Sequence, residues 1–350
     1  MKDGKLHALN AMMGLAIGDA ISWTAMFHRG FLLPAWTRRI RREMDSTSET
    51  ENVTLLSMPF SLNQSAQHFD ISPTDVTEWA AFSAGILLSN GINNFKQSVF
   101  KEWINLAESN EPIRGGVSTQ AALNNLRKGI QPPRSGKENP HYFDDGAMSR
   151  AVPIGIVCNG QPYEAARVAE IDASVTNSED GVWAAQAMAV AISLVCSGKN
   201  IIETIETAHQ ILPESSWISR TVDEALKLVE KNKSIFSIFP ILNNNIVNRE
   251  YSYGNVASET LALTFAIAQI HGNNFETALT TALGFAKSGE TLPAMVGALV
   301  GAMHSQVIAS ESWLNAIRSL KGICIPSLAG KNYLRLAETI SNISRRKIVK

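Results

Sequence analysis

The chain has 350 residues, of which 45% are hydrophobic and 18% are charged, so it can bury a sizeable core. Its 31 Lys and Arg residues nearly balance 32 Asp and Glu residues, and this lack of a basic excess argues against a nucleic-acid-binding protein. Three widely separated cysteines are typical of free thiols in a reducing compartment. The apolar stretch near the N-terminus is interrupted by polar residues and predicts a buried helix, not a membrane span, so we expect a cytoplasmic protein.

Most later segments show the three- and four-residue apolar spacing of α-helices, and alternating strand patterns are nearly absent. The clearest predicted helices are, in chain order, Thr74–Leu88, Phe95–Leu106, Gly181–Val195, Ile201–Ile211, Thr221–Lys231, Ala257–Ile270, Phe275–Phe285, Leu292–Val307 and Tyr333–Ser344. No linker or internal repeat divides the chain. The sequence therefore predicts an all-α protein with one domain over residues 1–350.

Two helix starts carry recognisable signals. Ser72 and Pro73 fit the N-cap and the first residue of a helix, with Asp75 as the returning partner. Pro293 marks the first turn of a later helix. Small residues recur along that later helix at four-residue intervals, at Ala294, Ala298 and Ala302 and at Gly297 and Gly301. Small residues let another backbone approach closely, so we expect this helix to be central and buried.

Carboxylates in apolar helices or at helix starts are the first candidates for chemistry. Asp19 lies in an apolar helix, where an unpaired carboxylate is costly, so it is either a hydrogen-bonded core residue or part of a ligand pocket. Asp75 and Glu78 are three residues apart and share one helix face with a preceding threonine, Thr74. A helix cap explains Asp75 equally well from spacing alone.

Polar loops are the second group of candidates. Ser288–Thr291 precedes the small-residue helix, where the helix dipole favours Glu and Thr in any case. Asn139–Arg150 combines adjacent carboxylates, a His and an Arg, which suits a polar ligand pocket or a solvated loop. The basic run Arg38–Arg42 is typical of a solvated face. Asn255 and Glu259 lie one helical turn apart.

Four blocks of the sequence resemble, in the same order, the ADP-ribosylglycohydrolase family of dinitrogenase-reductase-activating and ADP-ribosylhydrolase proteins. They are Gly14–Ile21, Asp144–Gly155, Val175–Ala187 and Glu290–Ala302. These blocks match the family's Gly-Asp-Ala helix, its Gly-Ala-Ala-Met-Arg block, its Thr-His helix start and its C-terminal metal-binding helix. The resemblance implies a compact orthogonal multi-helix bundle. It also implies a glycosidase that cleaves the N- or O-glycosidic bond of a ribose, with two magnesium ions in a central cleft.

The departures from the family pattern fall on its metal ligands, which we interpret as a degenerate metal site. The family's Thr-Asp-Asp-Thr is replaced by Thr74–Thr77, where the second carboxylate becomes Val76, and its Asp-Thr-Asp-Thr is replaced by Ser288–Thr291. The family histidine aligns with Asn177, and an acidic position aligns near Met26. Two dications held by two carboxylates would leave uncompensated charge. The resemblance therefore implies one Mg²⁺ at most, with ligands Thr74, Asp75, Glu290 and Thr291, or a metal-free site.

The leading hypothesis is a divergent hydrolase that cleaves a ribosyl bond in an ADP-ribose conjugate or a nucleoside-like small molecule. Its predicted catalytic residues are Asp75, Glu78 and Glu290, because carboxylates alone can support oxocarbenium-like chemistry. Its predicted substrate-binding residues are Asp19, Asp144, Asp145, Gly146, Arg150, Thr176 and Asn177. Two alternatives stay open. One is a non-catalytic family member that binds an ADP-ribose-like or nucleoside-like ligand or a partner protein, and the other is an unrelated all-α enzyme.

Overall fold

A computed structural model describes residues 3–27, 72–231, 235–248, 255–285 and 287–347. Within these ranges the chain is helical, with no β-strand, which confirms the all-α prediction. We number the helices of these ranges in chain order: α1 Asp3–Phe27, α2 Asp75–Asn90, α3 Phe95–Glu108, α4 Val117–Arg127, α5 Arg134–Lys137, α6 Gly146–Val157, α7 Pro162–Ala173, α8 Asp180–Cys196, α9 Ile201–Gln210, α10 Trp217–Lys231, α11 Ile235–Asn245, α12 Ala257–His271, α13 Phe275–Gly284, α14 Leu292–Ala302, α15 Glu311–Ala316 and α16 Tyr333–Lys347. A short 3₁₀ helix covers Pro326–Leu328.

The predicted helices are observed, but some of their ends differ. Helix α14 ends at Ala302, before the predicted end at Val307. Helix α2 begins at Asp75 with Thr74 as its N-cap, so the predicted cap at Ser72 is wrong. The physical reason is that a carboxylate from another helix binds the start of α2, which the local sequence pattern does not reveal. The run Arg38–Arg42 lies outside the described residues.

Helices α1 and α14 cross at the centre of the fold in very close contact. A Cβ atom on Gly14 would overlap the carbonyl oxygen of Gly297, and one on Gly297 would overlap that of Gly14. A Cβ atom on Gly18 would likewise overlap the Pro293 carbonyl. Glycine is therefore required at these positions for the backbones to touch. This confirms the prediction of a central helix with a small-residue face, and every residue of α14 is buried.

One contiguous hydrophobic cluster, which includes side chains from α1, α8, α12 and α14, forms the core. Cys158, Cys196 and Cys324 are buried in it, and none of the three forms a disulfide, as predicted. Burial raises the pKa of the Cys196 thiol to about 12, so this thiol stays protonated. None of the helices in the described ranges is both long and apolar enough to span a bilayer.

Candidate functional site

Asp19 joins the C-terminal half of α1 to the start of α2. Its Oδ2 accepts the backbone amides of Thr74 and Thr77 at 2.7 and 3.0 Å, and the two threonine hydroxyls donate to its carboxylate at 2.5 Å each. Burial and the neighbouring Asp75 carboxylate raise the pKa of Asp19 to about 7, against the effect of these hydrogen bonds. The carboxylate is fully buried and bound to α2, so Asp19 acts as a cap for that helix.

Asp75 follows directly after the cap and is only partly buried. Its Oδ1 accepts the hydroxyl of Thr74 at 3.1 Å. Burial is the main cause that raises the pKa of Asp75. The next residue, Val76, packs into the hydrophobic core, so no oxygen stands at the position of the family's second carboxylate.

Glu78, the third predicted catalytic residue, binds the backbone of the C-terminal loop. Its carboxylate accepts the amides of Ile323, Cys324 and Ile325 at 2.8, 2.8 and 3.0 Å. The side chain is completely buried. The structure thus places Glu78 one helical turn from Asp75 as an anchor for this loop.

A second group of acidic and hydroxyl side chains lies where α6, α12 and α14 begin. Asp145 is buried and accepts the hydroxyls of Thr260 at 2.6 Å and Thr291 at 3.0 Å. Burial, the carboxylate of Asp144 and the carboxylate of Glu290 raise the pKa of Asp145 well above its usual range. Glu290 itself is partly exposed. Asp145 is therefore close enough to Glu290 for their charges to interact.

One turn of α1 connects the two groups. The Ser22 hydroxyl donates to the carbonyl oxygen of Asp19 at 2.7 Å and to that of Glu290 at 3.1 Å. The Asp19–Asp75 group and the Glu290 turn therefore lie against the same stretch of helix. Close by in sequence, Ser288 is buried and its hydroxyl has no hydrogen-bond partner within the described part of the chain.

Asp144 fastens the loop that leads into α6. Its Oδ1 accepts the Asn177 side-chain amide at 2.8 Å and the Gly146 backbone amide at 3.2 Å, and its Oδ2 accepts the Ser118 amide at 3.4 Å. Burial raises the pKa of Asp144. The Asn177 amide also donates to the carbonyl oxygens of Tyr142 and Asp144 at 3.1 and 3.0 Å. Asn177 thus holds the loop that positions Asp145.

Arg150 lies in the core, behind this loop. Its Nε donates to Asp172 at 2.5 Å, its Nη2 donates to the Thr176 hydroxyl at 2.7 Å, and its guanidinium lies 5.1 Å from the Trp103 ring centre. Arg150 and Asp172 are each 1% exposed. The structure therefore places Arg150 and Thr176 in a buried network that connects α6 with α7 and with the loop that follows α7.

Sequence reasoning missed Thr77, Thr260 and Lys287. Thr77 binds Asp19 and Thr260 binds Asp145, each from a different element. Lys287 immediately precedes the predicted segment Ser288–Thr291. Glu259, which the sequence places one turn after Asn255, is buried and pairs with Lys287 at 2.8 Å. In the sequence, the threonines of the segments Thr74–Thr77 and Ser288–Thr291 are what indicates hydrogen bonds between hydroxyls and carboxylates.

The donors for a metal ion are few. Within the described ranges, no three His, Cys, Asp or Glu side chains are grouped so that they could hold a metal. Asp19 and Asp144 already accept several hydrogen bonds. The remaining candidate donors are the carboxylates of Asp75 and Glu290 and the nearby hydroxyls.

The family model for ADP-ribosylglycohydrolases matches residues 3–344, nearly the whole chain. The chain belongs to the ADP-ribosylglycohydrolase family. A solved structure described as an ADP-ribosylglycohydrolase-related protein complex is 17% identical and has a TM-score of 0.60, and the match covers 98% of this chain and 100% of that chain. At this identity the likeness shows the fold alone, and it confirms the predicted family fold. No curated protein sequence matches the chain.

Proposed function

We propose that this ADP-ribosylglycohydrolase family member is a divergent hydrolase that cleaves a ribosyl N- or O-glycosidic bond. Its substrate is an ADP-ribose conjugate or a nucleoside-like small molecule. The observation that carries the proposal is a pair of partly exposed carboxylates, Asp75 and Glu290, whose backbone segments are held against the same turn of α1, by the Thr74–Asp19 bond and by the Ser22 bond to the Glu290 carbonyl oxygen. Each has a buried acid beside it, Asp19 for the first and Asp145 for the second.

Asp75 and Glu290 are the groups we assign to the reacting bond. Cleavage at an anomeric carbon needs an acid for the leaving group and a carboxylate or activated water for the developing oxocarbenium ion. Asp145 helps to separate the roles of acid and base because its raised pKa favours a protonated carboxyl beside Glu290. A proton held there removes the repulsion between like charges and leaves Glu290 ionised as a base.

We propose that this site holds one Mg²⁺ at most. Asp75 and Glu290 would supply charged oxygen ligands, and the hydroxyls of Thr74 and Thr291 would supply neutral ones, since each donates its proton to a carboxylate and keeps its lone pairs. Such an ion orients ribose hydroxyls and water when it is bound. Two ions do not fit this donor set, because Val76 offers no oxygen.

Other predicted residues support the site indirectly in this proposal. Asp144, Gly146 and Asn177 shape the loop that presents Asp145, and substrate would lie against that loop. Glu78 and Arg150 hold the surrounding scaffold. Three cysteines that form no disulfide suit a reducing compartment, and we therefore place the protein in the cytoplasm.

The test is hydrolysis of a panel of ADP-ribosyl conjugates and nucleosides by the purified protein, with and without Mg²⁺. We expect Asp75→Asn and Glu290→Gln to lower kcat by about 100-fold or more, the usual size of a lost acid or base. Glu203→Gln on the exposed surface of α9 is the matched control and should keep full activity. If the wild-type protein cleaves no member of the panel in either condition, the hydrolase proposal is wrong.

A non-catalytic role in binding an ADP-ribose-like or nucleoside-like ligand is the second candidate. It is favoured by Val76 and Ser288, which stand where the family has carboxylates. Calorimetric titration with ADP-ribose and common nucleosides tests it. Binding without turnover supports this role, whereas no heat with any of these compounds counts against it.

A further inference from the structure

A buried ion pair lies beside the candidate site. The Lys287 Nζ is 2.8 and 3.1 Å from the two carboxylate oxygens of Glu259 and donates to the Asn248 carbonyl oxygen at 2.8 Å. Glu259 also accepts a backbone hydrogen bond from Asn248. The Glu259 side chain is 1% exposed and that of Lys287 is 17% exposed. Both charges therefore have the partners that buried ions require.

The pair is attached to the acidic group on both sides. Glu259 immediately precedes Thr260, whose hydroxyl binds Asp145. Lys287 opens the turn that carries Glu290 and ends at Thr291, whose hydroxyl binds the same Asp145. The start of α12 is thus connected to this turn twice, once by the ion pair and once by the Thr260–Asp145–Thr291 bridge.

The start of α12 also supports the loop that carries Asp145. The Asp145 amide donates to the Asn255 carbonyl oxygen at 3.1 Å, and the Ala257 amide donates to the Phe143 carbonyl oxygen at 3.1 Å. The N-terminal end of α12 therefore contacts Asp145 directly, and it contacts the Glu290 turn through Lys287.

Stability alone is a weak explanation for this pair. A buried ion pair contributes little net stability compared with apolar side chains of similar volume, because both ions lose their hydration. What the pair adds is a defined geometry, since two carboxylate oxygens and a carbonyl oxygen together restrict where the Lys287 ammonium group can lie.

We propose that Lys287 and Glu259 are positioning residues that fix the turn carrying Glu290 relative to Asp145. The proposal rests on the proposed function for its kinetic test. It also makes a structural statement that can be tested without activity.

The kinetic test compares Lys287→Met with Lys199→Met, which removes an exposed pair with Glu203. We expect Lys287→Met to lower kcat by about tenfold to 100-fold with little change in KM, because a displaced reacting group loses rate and not substrate affinity. Lys287→Arg should recover part of the loss, and Lys199→Met should change nothing. The double variant Lys287→Met, Glu259→Met should recover stability but not kcat.

Hydrogen exchange tests the positioning directly. In Lys287→Met, amides of residues 287–295 should exchange faster, while those of α9 stay unchanged. Unchanged exchange in 287–295 would overturn the proposal, and so would a double variant with wild-type kcat. If Lys287→Met does not fold, Glu259→Gln and Lys287→Arg carry the same comparison. If the wild-type protein has no activity, the proposed function fails, and the exchange data alone decide the positioning claim.

Discussion

Two sites in the molecule share a chemical pattern, a buried carboxylate bound by threonine hydroxyls, but they differ in whether backbone amides also bind that carboxylate. At the start of α2, Asp19 accepts two hydroxyls and also two backbone amides. At the starts of α12 and α14, Asp145 accepts the hydroxyls of Thr260 and Thr291. Amides at a helix start point in directions fixed by the helix backbone, whereas a hydroxyl can rotate towards another partner.

This difference makes the Asp19 site structural, whereas the Asp145 site can change its protonation and its hydrogen bonds. Asp19 completes α2 and thereby fixes Asp75 in place. Folding raises the pKa of both acids, and each lies beside another carboxylate, but the Asp145 side chain caps no helix and can change its protonation without loss of a cap. Substitutions of these acids should therefore differ in size and in sign.

The largest expected effect is that of Asp19→Asn. An amide can accept on one oxygen only, so some of the four donors lose their acceptor, and we expect a loss of about 3 kcal/mol in the free energy of unfolding. Urea denaturation measures it. Asp223→Asn, on a side chain that is 47% exposed, is the control and should stay within about 0.5 kcal/mol of wild type. A loss below that of the control would mean that Asp19 does not cap α2.

Glu78→Gln should cause the next largest loss in the free energy of unfolding. The glutamine amide would face at least one of the three backbone amides of residues 323–325, so we expect a loss of about 2 kcal/mol. The same denaturation experiment measures it, with Glu138→Gln, a 43% exposed side chain, as the control. If Glu78→Gln instead abolished hydrolysis with no loss of stability, Glu78 would belong to the chemistry, as the sequence predicts.

The sequence predicts the helices well because apolar spacing and small-residue faces are local patterns. Gly14 and Gly297, for example, mark the α1–α14 contact through their residue type alone. The roles of the acids are not local. The donors to Asp19 lie 55 and 58 residues away, and the nearest donor to Glu78 lies 245 residues away. No pattern around either residue distinguishes an anchor from a catalytic group.

The family resemblance locates the right segments but not the partners within them. It identifies the segment of Ser288–Thr291, yet Lys287, one residue before it, carries the ion pair to Glu259. That pair joins residues 28 positions apart on different elements. Only the fold reveals that both residues flank Asp145.

Asp145→Asn should raise the free energy of unfolding, whereas Asp19→Asn lowers it, and the increase should appear only at high pH. The pKa of Asp145 is raised in the folded protein, so the folded state binds the proton more tightly than the unfolded chain does. The stability contributed by this proton is present at low pH and is lost as pH rises through the folded-state pKa. An asparagine keeps one acceptor oxygen, and because the two threonine hydroxyls can rotate, the other hydroxyl can accept from the new amide nitrogen. The asparagine has no proton to lose.

We therefore expect Asp145→Asn to match wild type near pH 4 and to be the more stable of the two near pH 8, by about 1.4 kcal/mol for each unit by which folding raises the pKa of Asp145. Urea denaturation at the two pH values measures the change. A variant that is destabilised equally at both pH values would show that Asp145 is ionised in the folded state, and the Asp19 and Asp145 sites would then be alike.

The smallest effect is expected for the threonines that bind Asp145. Thr260→Val and Thr291→Val each remove one buried hydroxyl donor while keeping the shape of the side chain, so each should cost about 1 kcal/mol at pH 5. The cost should grow at pH 8, because an ionised carboxyl depends more strongly on its donors than a protonated one. Denaturation of both variants and of Thr339→Val, whose hydroxyl donates within its own exposed helix, provides the comparison. If the cost does not grow with pH, the hydroxyls stabilise the turn alone, and the proton on Asp145 is then held by burial and by the neighbouring carboxylates.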